Sequence, residues 1–355
     1  YNIVHDLLFG EHILILGIDY NNDFMLDKAP AYNRVIDQNV KAAGFYFQDD
    51  WMLAEGINML IGLRSEKHNL INDLIYNPRV SLLGKLSDKL SLRLTYSTGY
   101  RAPQAFDEDL HITQVNGEGF VIKLDNGLKP EYSHSISSSL DYSFRIFDMP
   151  FAVCLEYFNT RLNDVFVMVD EGSDINGNRT LMRKNGESAK VEGLTFELQT
   201  TGNDYLIKTG ITYQSAKFNQ PVEWSAGIPD NNIAPKYSDK IFKTPDLYGF
   251  ILASFNITDN LVFESAAYYT GEMYLPHYAG YIESDRLVNT ESFIDLNVKL
   301  VYNLSKTPNL KIGLGLQNIL NNYQKDFDMG VNRDAGYMYG PFRPFSTMLN
   351  IGINL

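Results

Sequence analysis

The stretch Ile294-Asp295-Leu296-Asn297-Val298-Lys299-Leu300-Val301-Tyr302 decides the fold. Ile294, Leu296, Val298, Leu300 and Tyr302 share one phase of a period of two, and Asp295, Asn297 and Lys299 share the other. A helix would need apolar residues three and four apart, whereas alternation places them on one face of an extended strand. Past the polar turn Ser305-Lys306-Thr307-Pro308-Asn309 the rule returns, with Ile312, Leu314 and Leu316 opposed to Lys311, Gly313, Gly315 and Gln317. Two such runs joined by a short turn make a hairpin. A charge in mid-strand, such as Lys299, is costly against hydrocarbon and tolerated against a wet lumen.

Leu90, Leu92, Leu94 and Tyr96 alternate in the same way with Ser91, Arg93, Thr95 and Ser97. Leu194, Phe196 and Leu198 alternate with Thr195, Glu197 and Gln199, then cross Gly202-Asn203-Asp204 to Ile207, Ile211 and Tyr213. Carried along the chain, the rule predicts fourteen strands, near 12–27, 38–53, 57–68, 76–86, 89–101, 132–146, 149–168, 188–201, 204–219, 243–257, 260–273, 291–304, 309–323 and 343–355. Most exceed the roughly 5–6 residues of a soluble strand and suffice for the about 9–11 of a tilted membrane crossing. Tight turns alternate with long polar loops at 102–131, 169–187, 220–242, 274–290 and 324–342. Short periplasmic turns and long external loops characterise bacterial outer-membrane barrels. The expected fold is therefore all-β, an antiparallel transmembrane β-barrel with its long loops outside the cell.

Composition narrows the class further. Of 355 residues 45% are hydrophobic and 21% charged, which excludes a disordered chain. A net charge of −13 argues against a nucleic-acid partner, which needs a basic surface. Aromatic residues reach 13%, nearly all from 23 Tyr and 21 Phe, while mean hydropathy is only −0.21. That combination suits strands with one face in lipid, one in water and aromatic girdles at the interfaces. No run approaches the roughly 18–20 apolar residues of a membrane helix. Cys154 is the single cysteine, so it cannot form an intrachain disulfide, and it reads as a small buried or lipid-facing hydrophobe. There is no H-E-x-x-H, G-x-S-x-G or phosphate loop, so neither an enzyme nor a cofactor is expected. The chain opens at Tyr1 without an initiator Met or a signal pattern and reads as a mature or truncated piece.

Several blocks, in order, carry a resemblance: Gly44-Phe45-Tyr46-Phe47-Gln48-Asp49-Asp50-Trp51, Gly62-Leu63-Arg64, Asn77-Pro78-Arg79-Val80, Tyr96-Ser97-Thr98-Gly99-Tyr100-Arg101-Ala102-Pro103, Leu128-Lys129-Pro130-Glu131 and the segment Ala189 to Glu197. Gln317-Asn318-Ile319-Leu320-Asn321 and Thr270-Gly271-Glu272-Met273-Tyr274-Leu275-Pro276-His277-Tyr278 continue the series. Together they resemble the carboxyl-terminal half of TonB-dependent outer-membrane receptors of the siderophore, colicin and cobalamin type. The resemblance implies a 22-stranded barrel, of which these would be the last fourteen strands, with an amino-terminal plug domain and a coupling box that this sequence does not contain. An open sheet would leave bare edges in lipid, so other residues are expected to supply the rest. It implies bacterial outer-membrane localisation and energy-coupled uptake of an extracellular metal chelate or corrinoid. The implied partners are a periplasmic energy-transducing protein, reached through the plug, and outer-membrane lipid.

For ligand binding the external loops offer His111, Trp224, Met273, Tyr274 and His277. His111 follows the Tyr-Arg-Ala-Pro block, where haem receptors of this family carry an axial histidine, but Asn126-Gly127-Leu128 completes that pattern only in part; plain loop polarity is the other reading. His277 stands among Met273, Tyr274, Pro276 and Tyr278, where aromatics stack on a planar ligand or anchor the interface. Trp224 reads as an exposed aromatic, serving as a binding anchor or as loop packing, and Arg101 as a strand-end structural cation. Two competing readings are a self-contained fourteen-strand passive channel and a soluble all-β binding protein, the latter requiring Leu194 and Phe196 to be buried between sheets.

Overall fold

A computed structural model describes residues 2–6, 10–30, 34–103, 120–173, 179–225, 234–306, 309–330, 332–334 and 336–354. The strands are β1 (Asn2–Asp6), β2 (Glu11–Ala29), β3 (Arg34–Ala54), β4 (Ile57–His68), β5 (Ile75–Ser87), β6 (Leu90–Arg101), β7 (Phe120–Leu124), β8 (Glu131–Ile146), β9 (Met149–Asn163), β10 (Phe166–Ser173) and β11 (Arg179–Asn185). They continue with β12 (Ala189–Thr201), β13 (Tyr205–Ser225), β14 (Lys236–Lys240), β15 (Leu247–Thr258), β16 (Leu261–Thr270), β17 (Tyr274–His277), β18 (Arg286–Asn289), β19 (Phe293–Lys306), β20 (Asn309–Gln317) and β21 (Ser346–Asn354). One 16-stranded sheet runs β1-β2-β3-β4-β5-β6-β8-β9-β12-β13-β15-β16-β19-β20-β21, with β14 added on β13.

All fourteen expected strands are present in this sheet, and β1 pairs beside β2. Their ends differ where the backbone turns. The run expected at 149–168 breaks at Asp164, whose φ is 55°, so β10 leaves the main sheet. Two loops expected to be irregular, 102–131 and 169–187, contribute instead to a small sheet, β10-β11-β7, in which β11 and β7 are parallel. The 274–290 loop contains the hairpin β17–β18, and β13 runs on to Ser225 to pair with β14. The β8–β9 turn is the pair Phe147 (φ 47°) and Asp148 (φ 63°), the doubly positive geometry that matches strand twist in a two-residue hairpin.

Register aligns the two faces across the whole sheet. Leu140 pairs with Leu155, Leu155 with Phe196 and Phe196 with Ile211; Leu300 pairs with Leu314 and Leu314 with Leu349. Among the described residues no second layer covers this stripe: Leu194 is 50% exposed, Leu314 61% and Leu349 65%. A soluble sandwich would bury these residues, so the stripe is the hydrocarbon-facing band. The opposite face is wet. Ser135 and Thr160 hydroxyls meet at 2.9 Å, as do Thr195 and Thr212, and the pairs Lys208–Glu197 (2.9 Å) and Lys299–Glu264 (3.1 Å) span neighbouring strands.

Cys154 corrects its sequence reading. It is half-exposed on the wet face, register partner of Asp141 on one side and Glu197 on the other. The residues that are buried and hydrophobic, among them Ile71, Ile75, Ala102, Ala189, Ala216, Leu275, Phe293 and Tyr337, lie at the external strand ends and in the external loops. The core of the described chain is thus at its outer rim, because lipid takes the place of a core lower down.

Candidate functional site

The external loops between β13 and β15, between β16 and β19, and between β20 and β21 pack into one body. Trp224, near the end of β13, is half-buried, which corrects the expectation of an exposed ring. Its ring lies edge-on to Phe242 at 6.2 Å and tilted to Tyr278 at 6.1 Å, and its carbonyl accepts the Tyr278 hydroxyl at 3.2 Å. Beside it the Ser225 hydroxyl donates to Asp285 at 2.6 Å, whose second oxygen accepts the Ala279 amide at 2.6 Å.

His277 is only 2% exposed. Its Nε2 lies 2.9 Å from the Asp328 carboxylate, and its ring stacks on Tyr337 at 3.7 Å and 6°. The Tyr337 and Tyr339 hydroxyls both donate to Asp326, at 2.6 and 2.5 Å. Burial works against the Asp326 charge, but these donors outweigh it and hold the carboxyl below its ordinary range. Burial, then the hydrogen bond to Asp326, raises both tyrosines above the ordinary value. Asp334 closes the assembly by accepting the Tyr278 amide at 2.9 Å.

Met273 and Tyr274 share a cavity of about 250 Å³ with Lys240, Asp246, Glu272 and Asn289. The Met273 amide is held by Thr290 Oγ1 at 3.1 Å, and Asn289 donates to Glu272 at 2.6 Å. The Lys240 ammonium stands 5.5 Å from the centre of the Tyr274 ring. The cavity combines a cation, carboxylates and a partly exposed aromatic face. Its size, below the about 300–1,000 Å³ of a pocket for a whole small molecule, suits one arm of a ligand.

Of the expected site residues, the structure brings Trp224, Met273, Tyr274 and His277 into this one assembly. His111 lies outside the described residues. Arg101 stands 5.5 Å over the Phe166 ring and 3.4 Å from Glu131. Asp326, Asp328, Tyr337 and Tyr339 were not singled out by sequence; the run Tyr337-Met338-Tyr339 downstream of Asp326-Phe327-Asp328 is the signal that could have pointed to them. Nor was Arg183, which is 1% exposed with its guanidinium 5.6 Å from the Phe166 ring.

The chain matches the family described as TonB dependent receptor-like, beta-barrel, over residues 1–319. Over 136 residues it is 32% identical to the iron-regulated outer membrane virulence protein of Vibrio cholerae serotype O1, which covers 38% of this chain and 20% of that protein. It is similar to the ferric enterobactin receptor of Pseudomonas aeruginosa, solved as a mutant with enterobactin, with TM-score 0.68 and 16% identity over 98% of this chain and 52% of that one. For the siderophore receptor PirA from Acinetobacter baumannii the TM-score is 0.67 and the identity 16%, over 99% of this chain and 53% of that one. The chain thus spans about half the length of these structures.

Proposed function

Because the chain belongs to the TonB-dependent receptor β-barrel family of the outer membrane, we propose that it forms the greater part of the barrel wall and outer mouth of a receptor for a ferric siderophore. The family and fold are those of outer-membrane transport receptors rather than enzymes. The names of the relatives support iron as the cargo: an iron-regulated outer-membrane protein, a siderophore receptor and a ferric enterobactin receptor. The observation that carries the reading is the Lys240 ammonium held over Tyr274 at the edge of a rim cavity. A fixed cation beside a flat aromatic face suits an anionic chelate with a planar arm.

In this reading Met273 and Tyr274 touch the ligand, while Trp224 and His277 hold the loops that carry them. His111, which lies outside the described residues, is a further contact to be tested. Residues outside these 355 supply the remaining strands and the lumen-filling plug, through which a periplasmic energy-transducing protein drives release. Uptake of ferric siderophores, haem and cobalamin, measured in parallel in a strain lacking the receptor, tests the reading. Restoration by the full-length gene for a ferric siderophore is expected; restoration for cobalamin or haem alone would replace that cargo.

A further inference from the structure

A second surface lies outside the mouth, on the hydrocarbon-facing side of the sheet. Arg161 on β9 is the register partner of Lys190 on β12, and Lys190 is the partner of Lys217 on β13. The three cations therefore form one row across three adjacent strands, at their external ends. Arg161 and Lys217 are exposed. Lys190 reaches Glu192 at 2.8 Å, a carboxylate that also accepts Asn159 at 3.0 Å. Lys240, the partner of Lys217 on β14, is turned onto the Tyr274 ring.

The rows below fix where this one sits. One step toward the periplasm on the same face come Asn159, Glu192 and Ser215, and a step further Tyr157, Leu194 and Tyr213, where the apolar band begins. The cations stand four residues beyond that edge, about 13 Å along a strand, at the depth of a lipid headgroup. Like charges directly opposite one another on a sheet face oppose folding. A single carboxylate offsets only part of that repulsion, so the row is complementary to an anion from outside the chain.

We propose that Arg161, Lys190 and Lys217 bind the phosphate groups of a phosphorylated lipid of the outer leaflet, whose acyl chains lie on the band formed by Tyr157, Leu194 and Tyr213. An amphiphile meets both requirements at once: an anionic head at the level of the row and hydrocarbon directly beneath. A soluble anionic protein would meet the first and not the second. The proposal goes beyond the uptake reading and does not depend on the identity of the cargo.

The test uses the full-length receptor in phosphatidylcholine nanodiscs carrying either bisphosphorylated lipid A or its dephosphorylated form. The native row is expected to retain the phosphorylated lipid better by on the order of tenfold to a hundredfold, the scale of basic residues at an anionic surface. Arg161→Gln, Lys190→Gln and Lys217→Gln together should abolish that preference. In lipid-free detergent the same variant should unfold at a higher temperature than the native receptor, because the repulsion is gone, and at a lower one once phosphorylated lipid is present. Should the triple variant not fold, Lys217→Gln alone and a salt titration of the native protein give the same readout in smaller measure. Equal retention of the two lipids, retention unaltered by the substitutions, or displacement by inorganic phosphate, which would mark a simple ion site, would overturn the proposal.

Discussion

His277 and Tyr337 stack face to face, their ring centres 3.7 Å apart, and so join the β16–β19 loop to the β20–β21 loop. The same imidazole donates through Nε2 to Asp328, whose side chain is 2% exposed. His277→Ala removes both contacts and leaves the buried Asp328 carboxylate, among the described residues, to the Asp334 amide at 2.9 Å, a change that costs about 1–3 kcal/mol for a buried acceptor that loses a donor. The expected effect is local: amide exchange in the 318–345 loop accelerates by orders of magnitude while β19 and β20 keep their protection. Unchanged exchange in that loop would show that the stack does not hold it.

The Asp326 cluster sets a pH window for the same loop. Its carboxyl is held below the ordinary 3.8 despite its burial, so its contribution is present above that value and is lost as pH falls through the lowered one. Tyr337 and Tyr339 are raised by burial and by Asp326 above the ordinary 10.0. Their contribution is complete below that value and is lost as pH rises toward the raised ones. Near-ultraviolet dichroism should therefore stay flat across the neutral range and change only in strong acid or strong base. A midpoint close to neutrality would contradict this assignment.

These contacts explain which parts of the molecule were legible in sequence. The stripe of Leu194, Phe196 and Leu198 is visible because period-two alternation is local, and lipid needs only that alternation, with no matched partner to pack against. The break at Asp164 was masked by Val165-Phe166-Val167, which prolongs the apolar run, although Asn163 and Asp164 are of the residue types that tolerate a positive φ and were the signal to read. His277 and Asp328 are 51 residues apart in loops without period. Their pairing is set by the strands that bring the loops together. The row of Arg161, Lys190 and Lys217 exists only once register is known, because each cation taken alone is an ordinary strand-end residue.

Adjacent residues on β9 give a direct test of the two faces. Val153 pairs with Tyr142 and Leu198 on the apolar side, whereas Cys154 pairs with Asp141 and Glu197 on the wet side. Val153→Lys should cost about 2–4 kcal/mol of folding stability in vesicles, the scale for a cation near mid-membrane. Cys154→Lys, one residue on, should be close to neutral, since it gains two carboxylate neighbours in contact with water. Denaturant titration of the full-length receptor measures both. Equal losses would mean that the faces have been exchanged or that neither meets hydrocarbon.

Tyr274 separates ligand contact from loop support. It is 37% exposed, forms the aromatic wall of the rim cavity and receives Lys240 on its face, yet its hydroxyl makes no hydrogen bond among the described residues. Tyr274→Phe should therefore keep affinity for the ferric chelate, and Tyr274→Ala should weaken it about tenfold or more, as truncating an aromatic anchor does. Lys240→Gln should weaken it less, and more so at low salt, because the charge acts at a partly wet surface. Trp224→Ala should also weaken binding, with a concurrent rise in protease cleavage of the external loops, since its ring supports Tyr278 and Phe242. If Tyr274→Ala binds as the native receptor does, the cavity is not where the chelate rests, and the contact must be sought elsewhere on the mouth.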